Sequence, residues 1–238
     1  MARCVVTGAS SGIGREIALQ LASKGHSIVA LGRDRERLED LELRDRRIQT
    51  RALDLRDRAA VIACGIEMMA GDTIDCLINN AAIQHNVRFD DPHYDGEQIA
   101  AEVETNLLAP MLLSRLLLPK TPGRPFLIVN IGSALACHPK STSAVYSATK
   151  AGLRMFSDAL CVQHQATSVR VVDVVLPLVD TPMTSGRGRG KVSAVYAAKE
   201  ILRAVEPGGR RIHVGKARLL RLLEIIAPPA AAAIIRKL

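Results

Sequence analysis

The sequence predicts an α/β fold built on a doubly wound parallel sheet of about seven strands, with helices on both faces. Short runs rich in Val and Ile alternate regularly with amphipathic stretches of helix length along the 238 residues. The runs are apolar on both faces, as expected for parallel strands that helices cover on each side. Right-handed crossovers between such strands produce the doubly wound arrangement.

The predicted elements alternate in chain order. The strands are Ala2–Thr7, Ser27–Leu31, Ile48–Leu53, Thr73–Asn79, Phe126–Ile131, Val169–Leu176 and Arg211–Val214. The helices are Gly12–Lys24, Arg35–Arg44, Asp57–Ala70, Gly96–Leu118, Ser143–Gln165 and Ser193–Val205. A chain of this length fits one domain, residues 1–238, in which 184–192 forms a short lid and 217–238 an apolar C-terminal tail.

Composition and charge narrow the classes of function. Hydrophobic residues make up 48% of the chain and charged residues 24%, which is typical of soluble proteins. The formal charge of +8 comes from basic residues spread along the chain without interleaved aromatics, so we expect no nucleic-acid partner. Five scattered cysteines without a CxxC pair indicate a reducing compartment and no metal site. Since the sequence has no signal peptide and no apolar run of membrane-spanning length, we expect a cytoplasmic protein.

The apolar tail 217–238 has two interpretations. Arg218, Arg221, Glu224 and the Pro228–Pro229 pair interrupt it. We expect a terminal helix that packs on the body or on another subunit. The alternative is peripheral contact with a membrane, since an apolar stripe beside Arg and Lys can lie in an interface.

A glycine-rich turn, Thr7-Gly8-Ala9-Ser10-Ser11-Gly12-Ile13-Gly14, joins the first predicted strand to the first helix. Glycines let the backbone turn tightly and approach a pyrophosphate, and the helix N-terminus adds unpaired N–H groups and the positive end of a dipole. The spacing is GxxxGxG, and its place at the first strand–helix junction predicts a Rossmann-like dinucleotide site. The alternative is a tight turn that holds no ligand.

The end of the second strand indicates which nicotinamide cofactor is bound. NAD sites carry an acidic residue there for the ribose 2′-OH, whereas this chain has Gly32 and Arg33. Arg33 can pair with a 2′-phosphate through its planar fork, and Arg15 can add charge from the first helical turn. Asp34 is the opposing observation, but it follows the strand and is placed to cap the next helix. The sequence therefore predicts NADP(H); the alternative for Arg33 is a solvated surface residue.

Tyr146 and Lys150 lie four residues apart in a predicted helix and so share one of its faces. A neighbouring ammonium lowers the pKa of a phenol, and Lys150, together with a positive nicotinamide, is expected to bring Tyr146 into a useful range. Taken alone, the pair is equally compatible with a solvated contact. Ser133 strengthens the catalytic interpretation, because it ends a predicted parallel strand and so faces the ligand crevice. Its alternative role is a helix cap.

Together these pieces resemble the short-chain dehydrogenase/reductase family, in its single-domain form of about 250 residues. The matching segments are Thr7–Gly14, Asp54-Leu55, Asn79–Ala81, Asn106-Leu107, Ser133 and Tyr146–Lys150, in the family's order and at its spacings over roughly residues 2 to 183. The resemblance implies a catalytic tetrad of Asn106, Ser133, Tyr146 and Lys150.

The resemblance also implies individual roles. Asn106 kinks its helix and holds a water that relays protons to Lys150, and Lys150 also binds the nicotinamide ribose. Asp54 and Leu55 flank the adenine, and Asn80 lines the nicotinamide side. Structural alternatives remain, namely a satisfied amide for Asn106 or Asn80 and a turn former for Asp54. The residues expected to hold the cofactor are Gly8, Ser10, Ser11, Gly12, Ile13, Gly14, Arg15, Arg33, Asp54, Leu55, Asn80, Ala81, Tyr146, Lys150, Pro177 and Thr181.

Two positions depart from the family's pattern. Ala82 stands where the family has Gly after Asn-Asn-Ala, which adds a methyl group near the nicotinamide. The stretch Pro177–Thr181 is one residue shorter than usual and has Leu178 in place of Gly, in a loop that normally braces the nicotinamide amide.

The predicted function is an NADP(H)-dependent oxidoreductase, a ketoreductase that converts a small-molecule carbonyl to an alcohol or the reverse, with Tyr146 as general acid and base. The alternative is a non-catalytic NADP(H)-binding sensor or scaffold, and a further one is epimerisation or dehydration by the same tetrad. By resemblance, helices Gly96–Leu118 and Ser143–Gln165 form the interface of a homodimer or homotetramer; their apolar faces also fit a buried helix of a monomer.

The expected substrate pocket is mostly apolar, formed by Ala82, Leu135, His138, Val179 and Met183. Three cations, Arg187, Arg189 and Lys191, lie in or beside the short lid. They indicate either a solvated loop or attraction of an anionic substrate or phosphate-bearing carrier.

Overall fold

A seven-stranded parallel sheet forms the centre of the molecule in a computed structural model that describes residues 1–71, 73–205 and 209–227. The strands of the chain are β1 (Arg3–Thr7), β2 (Ser27–Gly32), β3 (Ile48–Ala52), β4 (Cys76–Asn79), β5 (Phe126–Ile131), β6 (Val169–Val175), β7 (Val179–Asp180), β8 (Val192–Ser193) and β9 (Arg211–His213). The main sheet has the order β3-β2-β1-β4-β5-β6-β9, and the short strands β7 and β8 pair with each other. The predicted doubly wound, Rossmann-like sheet is confirmed.

Helices connect successive strands and cover the sheet. They are α1 (Gly12–Ser23), α2 (Arg35–Arg44), α3 (Arg58–Ala70), α4 (Gly96–Val103), α5 (Ala109–Leu117), α6 (Ala144–Gln163), α7 (Ala194–Val205) and α8 (Ala217–Ile226). One aliphatic core lies between the sheet and α1, α2 and α7. A second core lies on the opposite face, beneath α3, α5 and α6. Two buried faces explain why the strands are apolar on both sides.

The predicted helix Gly96–Leu118 is interrupted. A π-helical turn, Glu104–Leu108, separates α4 from α5, and the N–H of Ala109 donates to the carbonyl of Glu104. Pro110 follows and has no N–H to donate, so a regular α-helical bond is missing at this point. The turn lies where Asn106 was expected to kink its helix, and so the resemblance located the irregularity.

β4 begins three residues later than the predicted Thr73–Asn79. The carboxylate of Asp75 accepts a hydrogen bond from the Arg3 backbone N–H at 2.8 Å and another from Arg124 at 3.2 Å. At this end the Arg3 N–H thus donates to a side chain, while the backbone N–H of Asp75 still donates to the Arg3 carbonyl at 2.9 Å. Apolar content alone predicted a longer strand, because Ile74 is apolar. In the structure Ile74 is buried although it precedes β4.

The C-terminal region follows the predicted helix only in part. α8 covers Ala217–Ile226, and residues 228–238 of the predicted tail lie outside the described residues. Leu219, Leu222 and Ile226 are exposed on this helix. None of the helices in the described part of the chain is both long enough and apolar enough to cross a membrane.

The core between the sheet and α5 predicts a large stability effect at Leu113, which is 0% exposed. Leu113→Ala should lower the free energy of unfolding by about 2–5 kcal/mol, because it removes buried methyl groups and leaves a cavity. Leu43→Ala is the matched control, since Leu43 is 87% exposed; its effect should stay within about 0.5 kcal/mol. Urea titrations followed by far-UV circular dichroism measure both, and equal effects would contradict the assigned core.

Candidate active site

A cavity of about 500 Å³ lies at the carboxyl ends of the central strands. Parallel strands place their carboxyl ends at one edge, and the crevice opens where the strand order reverses, between β1 and β4. The loops after β1, β2, β4, β5 and β6 all contribute to its walls. Most of the predicted site residues line it, namely Gly8, Ser10, Ser11, Gly12, Ile13, Arg33, Asp54, Leu55, Asn80, Ala81, Ser133, Tyr146, Lys150, Pro177 and Thr181.

The glycine turn between β1 and α1 depends on the absence of side chains. Gly8 has φ +67°, and a Cβ there would lie 2.8 Å from the Cα of Ala81. A Cβ at Gly14 would lie 2.4 Å from both the Asn80 amide nitrogen and the Gly8 carbonyl oxygen. Gly14 is buried behind the turn and does not line the cavity itself. These contacts bring the backbone close to the cavity, as binding of a pyrophosphate requires.

The N-terminus of α1 is open toward an anion. Ser11 is its N-cap but makes no side-chain capping hydrogen bond, and the first turn contains no acidic residue. The first N–H groups of the helix are therefore available for a ligand, next to the positive end of the helix dipole. These features fit the diphosphate of a dinucleotide.

Asn80 braces the turn from β4. Its side-chain nitrogen donates to the carbonyl of Thr7 at 2.9 Å, and its backbone N–H donates to the Thr7 hydroxyl at 3.0 Å. The same hydroxyl accepts from the N–H of Ala81 at 3.0 Å. The Asn80 amide thus stabilises the glycine turn, which agrees with the alternative of a satisfied structural amide. The residue also lines the cavity.

Arg33 lies at the far end of the cavity, exposed after β2. Asp34 is turned away from it, because its carboxylate accepts from the N–H of Arg37 at 3.1 Å and caps α2. Asp34 therefore acts as the predicted helix cap. Because the Asp34 carboxylate does not compete for it, the Arg33 guanidinium is suited to bind a 2′-phosphate.

Arg15 does not lie where it was expected. Its guanidinium is 2.7 Å from a carboxylate oxygen of Asp40 and is absent from the cavity wall. Arg44 contacts the same carboxylate, and the two hydrogen bonds lower the pKa of Asp40. Arg15 thus links α1 to α2, because a nearby carboxylate holds it more strongly than open solvent does.

Asp54 and Leu55 line the same end of the cavity. The carboxylate of Asp54 accepts from the backbone N–H of Arg56 at 3.0 Å and pairs with its guanidinium at 2.6 Å. These hydrogen bonds lower the pKa of Asp54. Asp54 is therefore a turn former and also part of the cavity wall.

Tyr146 and Ser133 meet at the opposite end of the cavity. Ser133 follows β5, and its side chain hydrogen-bonds the phenol of Tyr146, which lies in the first turn of α6. Its hydroxyl also accepts from the N–H of Leu135 at 3.1 Å. Ser133 thus caps a short helical turn, which was its alternative role, and also faces the cavity as expected.

Lys150 is buried next to Tyr146. It is 2% exposed, and its ammonium donates to the carbonyl of Ile131 at 2.8 Å. The ammonium nitrogen lies 5.7 Å from the centroid of the Tyr146 ring. Burial lowers the pKa of Lys150 to about 8, and the carboxylate of Asp173 opposes part of this shift.

The expected acidification of Tyr146 involves a bound nicotinamide as well as Lys150, and it stays a prediction, because the polypeptide alone shifts the pKa of Tyr146 upward. Burial raises the pKa of Tyr146 to about 12, and the hydrogen bond from Ser133 offsets only part of the rise. Helical spacing predicted that the two side chains are neighbours, but not that both are removed from water. Desolvation disfavours the phenolate and outweighs the effect of the neighbouring residue.

Asn106 lies in the π-helical turn and is fully buried. Its side-chain oxygen accepts from the N–H of Ile83 at 2.7 Å, and its nitrogen donates to the Ile83 carbonyl at 2.8 Å. The nitrogen also lies 3.3 Å from the hydroxyl of Thr149, one residue before Lys150. In the structure Asn106 therefore ties the loop after β4 to α6, and the expected water relay stays a prediction.

The loop after β6 closes the cavity near Tyr146. The hydroxyl of Thr184 accepts from the N–H of Thr181 at 3.2 Å and donates to the carbonyl of Val179 at 2.5 Å, so the segment is well fixed despite its unusual sequence. Leu178 packs against Gly188, where a Cβ would lie 2.1 Å from its side chain. The substituted leucine thus holds the lid against the body.

One expectation about the substrate side is wrong, and one of the three lid cations contacts other groups. His138 does not line the cavity, although Ala82, Leu135, Val179 and Met183 do. Lys191 faces away, because its ammonium contacts Asp180 at 3.2 Å and the Thr184 carbonyl at 2.6 Å. Both residues lie in loops, where sequence order does not predict the direction of a side chain.

Sequence reasoning also missed part of the cavity wall. Lys140 and Lys216 line it, as do Ile83, Gln84 and Thr105. The ammonium of Lys140 is 2.5 Å from the side-chain oxygen of Asn86, a residue far away in the chain. Such contacts depend on how loops fold over the strand ends and leave no periodic pattern in the sequence.

Comparison with known proteins places these features in context. A family model described as short chain dehydrogenase matches residues 2–191. The chain is 34% identical over 198 residues to the uncharacterized oxidoreductase DltE of Bacillus subtilis (strain 168), covering 81% of this chain and 77% of DltE. It is 36% identical over 200 residues to the NADP-dependent 3-hydroxy acid dehydrogenase YdfG of Salmonella typhi, covering 78% of this chain and 76% of YdfG.

The fold has close counterparts among solved structures. A short-chain dehydrogenase from Sphingobium yanoikuyae in complex with NADPH superposes with a TM-score of 0.84 at 25% identity, covering 97% of this chain and 96% of that chain. The similarity extends over almost the whole chain.

Burial of Lys150 predicts a rise of stability with pH. Because its pKa falls from 10.5 to about 8 on folding, the unfolded chain binds more protons between these values, and the free energy of unfolding increases with pH there. Lys150→Met removes this dependence. In urea titrations from pH 8 to pH 10, stability relative to Lys150→Met should rise by about 2 kcal/mol.

The control for this experiment is Lys199→Met, which removes an exposed ammonium from α7. Tyr146 contributes in the opposite direction only above pH 10, since its pKa is raised to about 12. A difference between wild type and Lys150→Met that does not change with pH would contradict the buried ammonium.

Proposed function

The chain belongs to the short-chain dehydrogenase/reductase family of oxidoreductases, and on that premise we propose that it reduces a carbonyl to an alcohol, or the reverse, with NADP(H) as cofactor and Tyr146 as general acid and base. One observation carries the proposal. Ser133, Tyr146 and Lys150 line one end of a cavity whose other end is formed by the glycine turn and Arg33. A dinucleotide bound along this cavity would therefore extend from Arg33 to the phenol of Tyr146.

The residues present fit such a cofactor. The glycine turn and the uncapped N-terminus of α1 would hold the diphosphate, and Arg33 a 2′-phosphate. Asp54 and Leu55 would flank the adenine, while Lys150 and Thr181 would contact the nicotinamide half. The preference for NADP(H) is further supported by the relative named as NADP-dependent and the neighbour in complex with NADPH.

When bound, the nicotinamide supplies or accepts the hydride. The phenol of Tyr146 donates a proton to the carbonyl oxygen of the substrate as negative charge develops there, and Ser133 hydrogen-bonds the same oxygen. The raised pKa of Tyr146 keeps the phenol protonated at neutral pH, which is the form that reduction requires. In oxidation Tyr146 acts as base, and the positive charge of the oxidised cofactor then favours the phenolate.

Lys150 supports the proton transfer in this proposal. Its ammonium stays fixed by the carbonyl of Ile131, beneath the cavity. With a pKa near 8, it is poised to exchange a proton close to neutral pH and to return one to the Tyr146 side of the site. Asn106 positions this part of α6 through Thr149.

The proton-donor role is tested with Tyr146→Phe, which removes only the hydroxyl. Turnover should fall at least about 100-fold, because general acid catalysis contributes roughly this factor or more, whereas NADPH binding should stay near normal. NADPH oxidation is measured against a panel of ketones, aldehydes and quinones. Tyr196→Phe, on the exposed surface of α7, is the matched control and should keep full activity.

Two outcomes would change the proposal. Full activity of Tyr146→Phe would remove the tyrosine from the mechanism. NADPH binding without oxidation by any member of the panel would favour the sensor or scaffold interpretation instead.

The cofactor preference is tested at Arg33. Arg33→Gln should weaken NADPH binding about 10-fold or more, the usual worth of a charge-assisted hydrogen bond, and leave NADH binding unchanged. Arg35→Gln is the control, since it removes the same charge outside the cavity wall. The chain has no Trp, so NADPH fluorescence reports binding without interference from indole. Equal loss of NADH and NADPH binding would argue against a 2′-phosphate contact.

A further inference from the structure

Two cations from different loops line the cavity that contains Tyr146. Lys140 follows the short turn after β5, and Arg187 lies in the lid 184–192. Both side chains are half-buried. We call them the Lys140–Arg187 pair.

Neutral groups hold the two cations in place. The ammonium of Lys140 donates to the side-chain oxygen of Asn86 at 2.5 Å, and Arg187 donates to the backbone carbonyl of Met183. Within the described part of the chain, neither forms an ion pair with Asp or Glu. Asp54, at the adenine end, is the only carboxylate among the described residues of the cavity wall. The pair therefore carries positive charge that no described acid neutralises.

The two charges also act on each other and on the reacting group. Burial, together with the positive charge of Arg187, lowers the pKa of Lys140. Arg187 also tends to lower the pKa of Tyr146, so its charge is felt at the phenol. Like charges in the wall of one cavity repel each other, and an anion bound between them would reduce that repulsion.

The 2′-phosphate of the cofactor is not placed to supply this anion. Arg33 follows β2, whereas Lys140 lies in the segment after β5, and three steps of the sheet separate these strands in the order β2-β1-β4-β5. At roughly 4.8 Å a step, the separation of the strands is about 14 Å. The diphosphate site at the start of α1 is nearer to the lid, since Thr181 lies close to Gly12. We assign the anion to the substrate, and NADP⁺ binding by the Arg187→Gln and Lys140→Gln variants distinguishes this assignment from a contact with the diphosphate.

We propose that the Lys140–Arg187 pair binds a carboxylate of the substrate, so that the enzyme acts on small oxo acids and the corresponding hydroxy acids. The inference rests on the proposed function. Leu135 and Met183 line the cavity beside the pair and offer an apolar wall for the carbon chain between carboxylate and carbonyl. The planar fork of Arg187 matches a carboxylate, and Lys140 adds a point charge.

The chemistry balances without a further reactant. The carbonyl carbon gains a hydride from NADPH, its oxygen gains a proton from Tyr146, and the products are the hydroxy acid and NADP⁺. The carboxylate stays ionised throughout. Its bonds to the pair fix the distance between the carbonyl and Tyr146, which selects among acids of different chain length.

The test compares acids with their neutral esters. Hydroxy acids with the hydroxyl on the second, third or fourth carbon, and the methyl ester of each, are oxidised with NADP⁺ by wild type, Arg187→Gln and Lys140→Gln. At least one acid should exceed its ester about 10-fold in kcat/KM, the usual factor for a charge-assisted contact. Each variant should lose about 10-fold on that acid through KM, and nothing on the ester or on NADP⁺ binding.

A matched control separates local recognition from overall charge. Arg46→Gln removes an equal charge from the exposed surface after α2 and should keep the preference for the acid. A phosphate is the other anion that the pair would accept. A neutral keto thioester is therefore compared with the same compound carrying a terminal phosphate, and a preference for the phosphate form over the best acid would overturn the carboxylate assignment.

The outcomes distinguish this inference from the proposed function. Esters and acids oxidised equally well, or variants that lose activity on both alike, would overturn the carboxylate site while the oxidoreductase activity stands. If no compound is oxidised, the panel of ketones, aldehydes and quinones decides the proposed function, and equilibrium binding of acid and ester to the NADP⁺-loaded protein decides the inference. The inference is supported if the acid binds more tightly than its ester and Arg187→Gln abolishes this difference. Equal binding of acid and ester would reject the inference.

Discussion

The close approach of the β1–α1 turn to the end of β4 determines how the rest of the site is built. Gly8 and Gly14 leave no space for a side chain between the turn and the backbone of Asn80 and Ala81. The order of the strands reverses at the same place, so the crevice opens directly above the turn. Loops from β2, β5 and β6 then reach this crevice from both sides. A side chain at Gly14 would therefore disturb the hydrogen bonds of Asn80 as well as the turn.

Burial sets the electrostatics of the Tyr146 end. The same loss of water raises the pKa of Tyr146 and lowers that of Lys150, so burial shifts both equilibria toward the neutral forms, although an ammonium with a pKa of about 8 stays mostly protonated at neutral pH. The i,i+4 spacing indicated only that the two side chains are neighbours. In the folded chain the ammonium instead bonds the carbonyl of Ile131. The protein thus prepares a protonated donor, and positive charge from outside the chain is needed to reverse its preference.

The sequence predicted the fold and the glycine-turn half of the site better than the loops. The apolar runs indicate burial on both faces of the sheet. The predicted bounds of the strands and helices therefore agree with the structure to within a few residues. The start of β4 differs, because there the Asp75 side chain accepts the Arg3 N–H. The side-chain directions of Arg15 and Lys191 depend on the carboxylates of Asp40 and Asp180, which approach them only in the folded chain. Lys140 was missed because its orientation depends on Asn86, in a different loop.

The distribution of charge along the cavity links these features to specificity. Positive side chains lie at both ends, while the walls between them are mostly apolar, and the only described carboxylate of the wall, Asp54, is already paired with Arg56. An apolar wall cannot distinguish similar substrates strongly, since one methylene changes binding by only about 1–3 kcal/mol. Fixed charges can do so, because a substrate without the matching anion leaves two half-buried cations unneutralised. If the Lys140–Arg187 pair binds the substrate as proposed, selectivity in this cavity depends more on these cations than on the shape of the apolar surface.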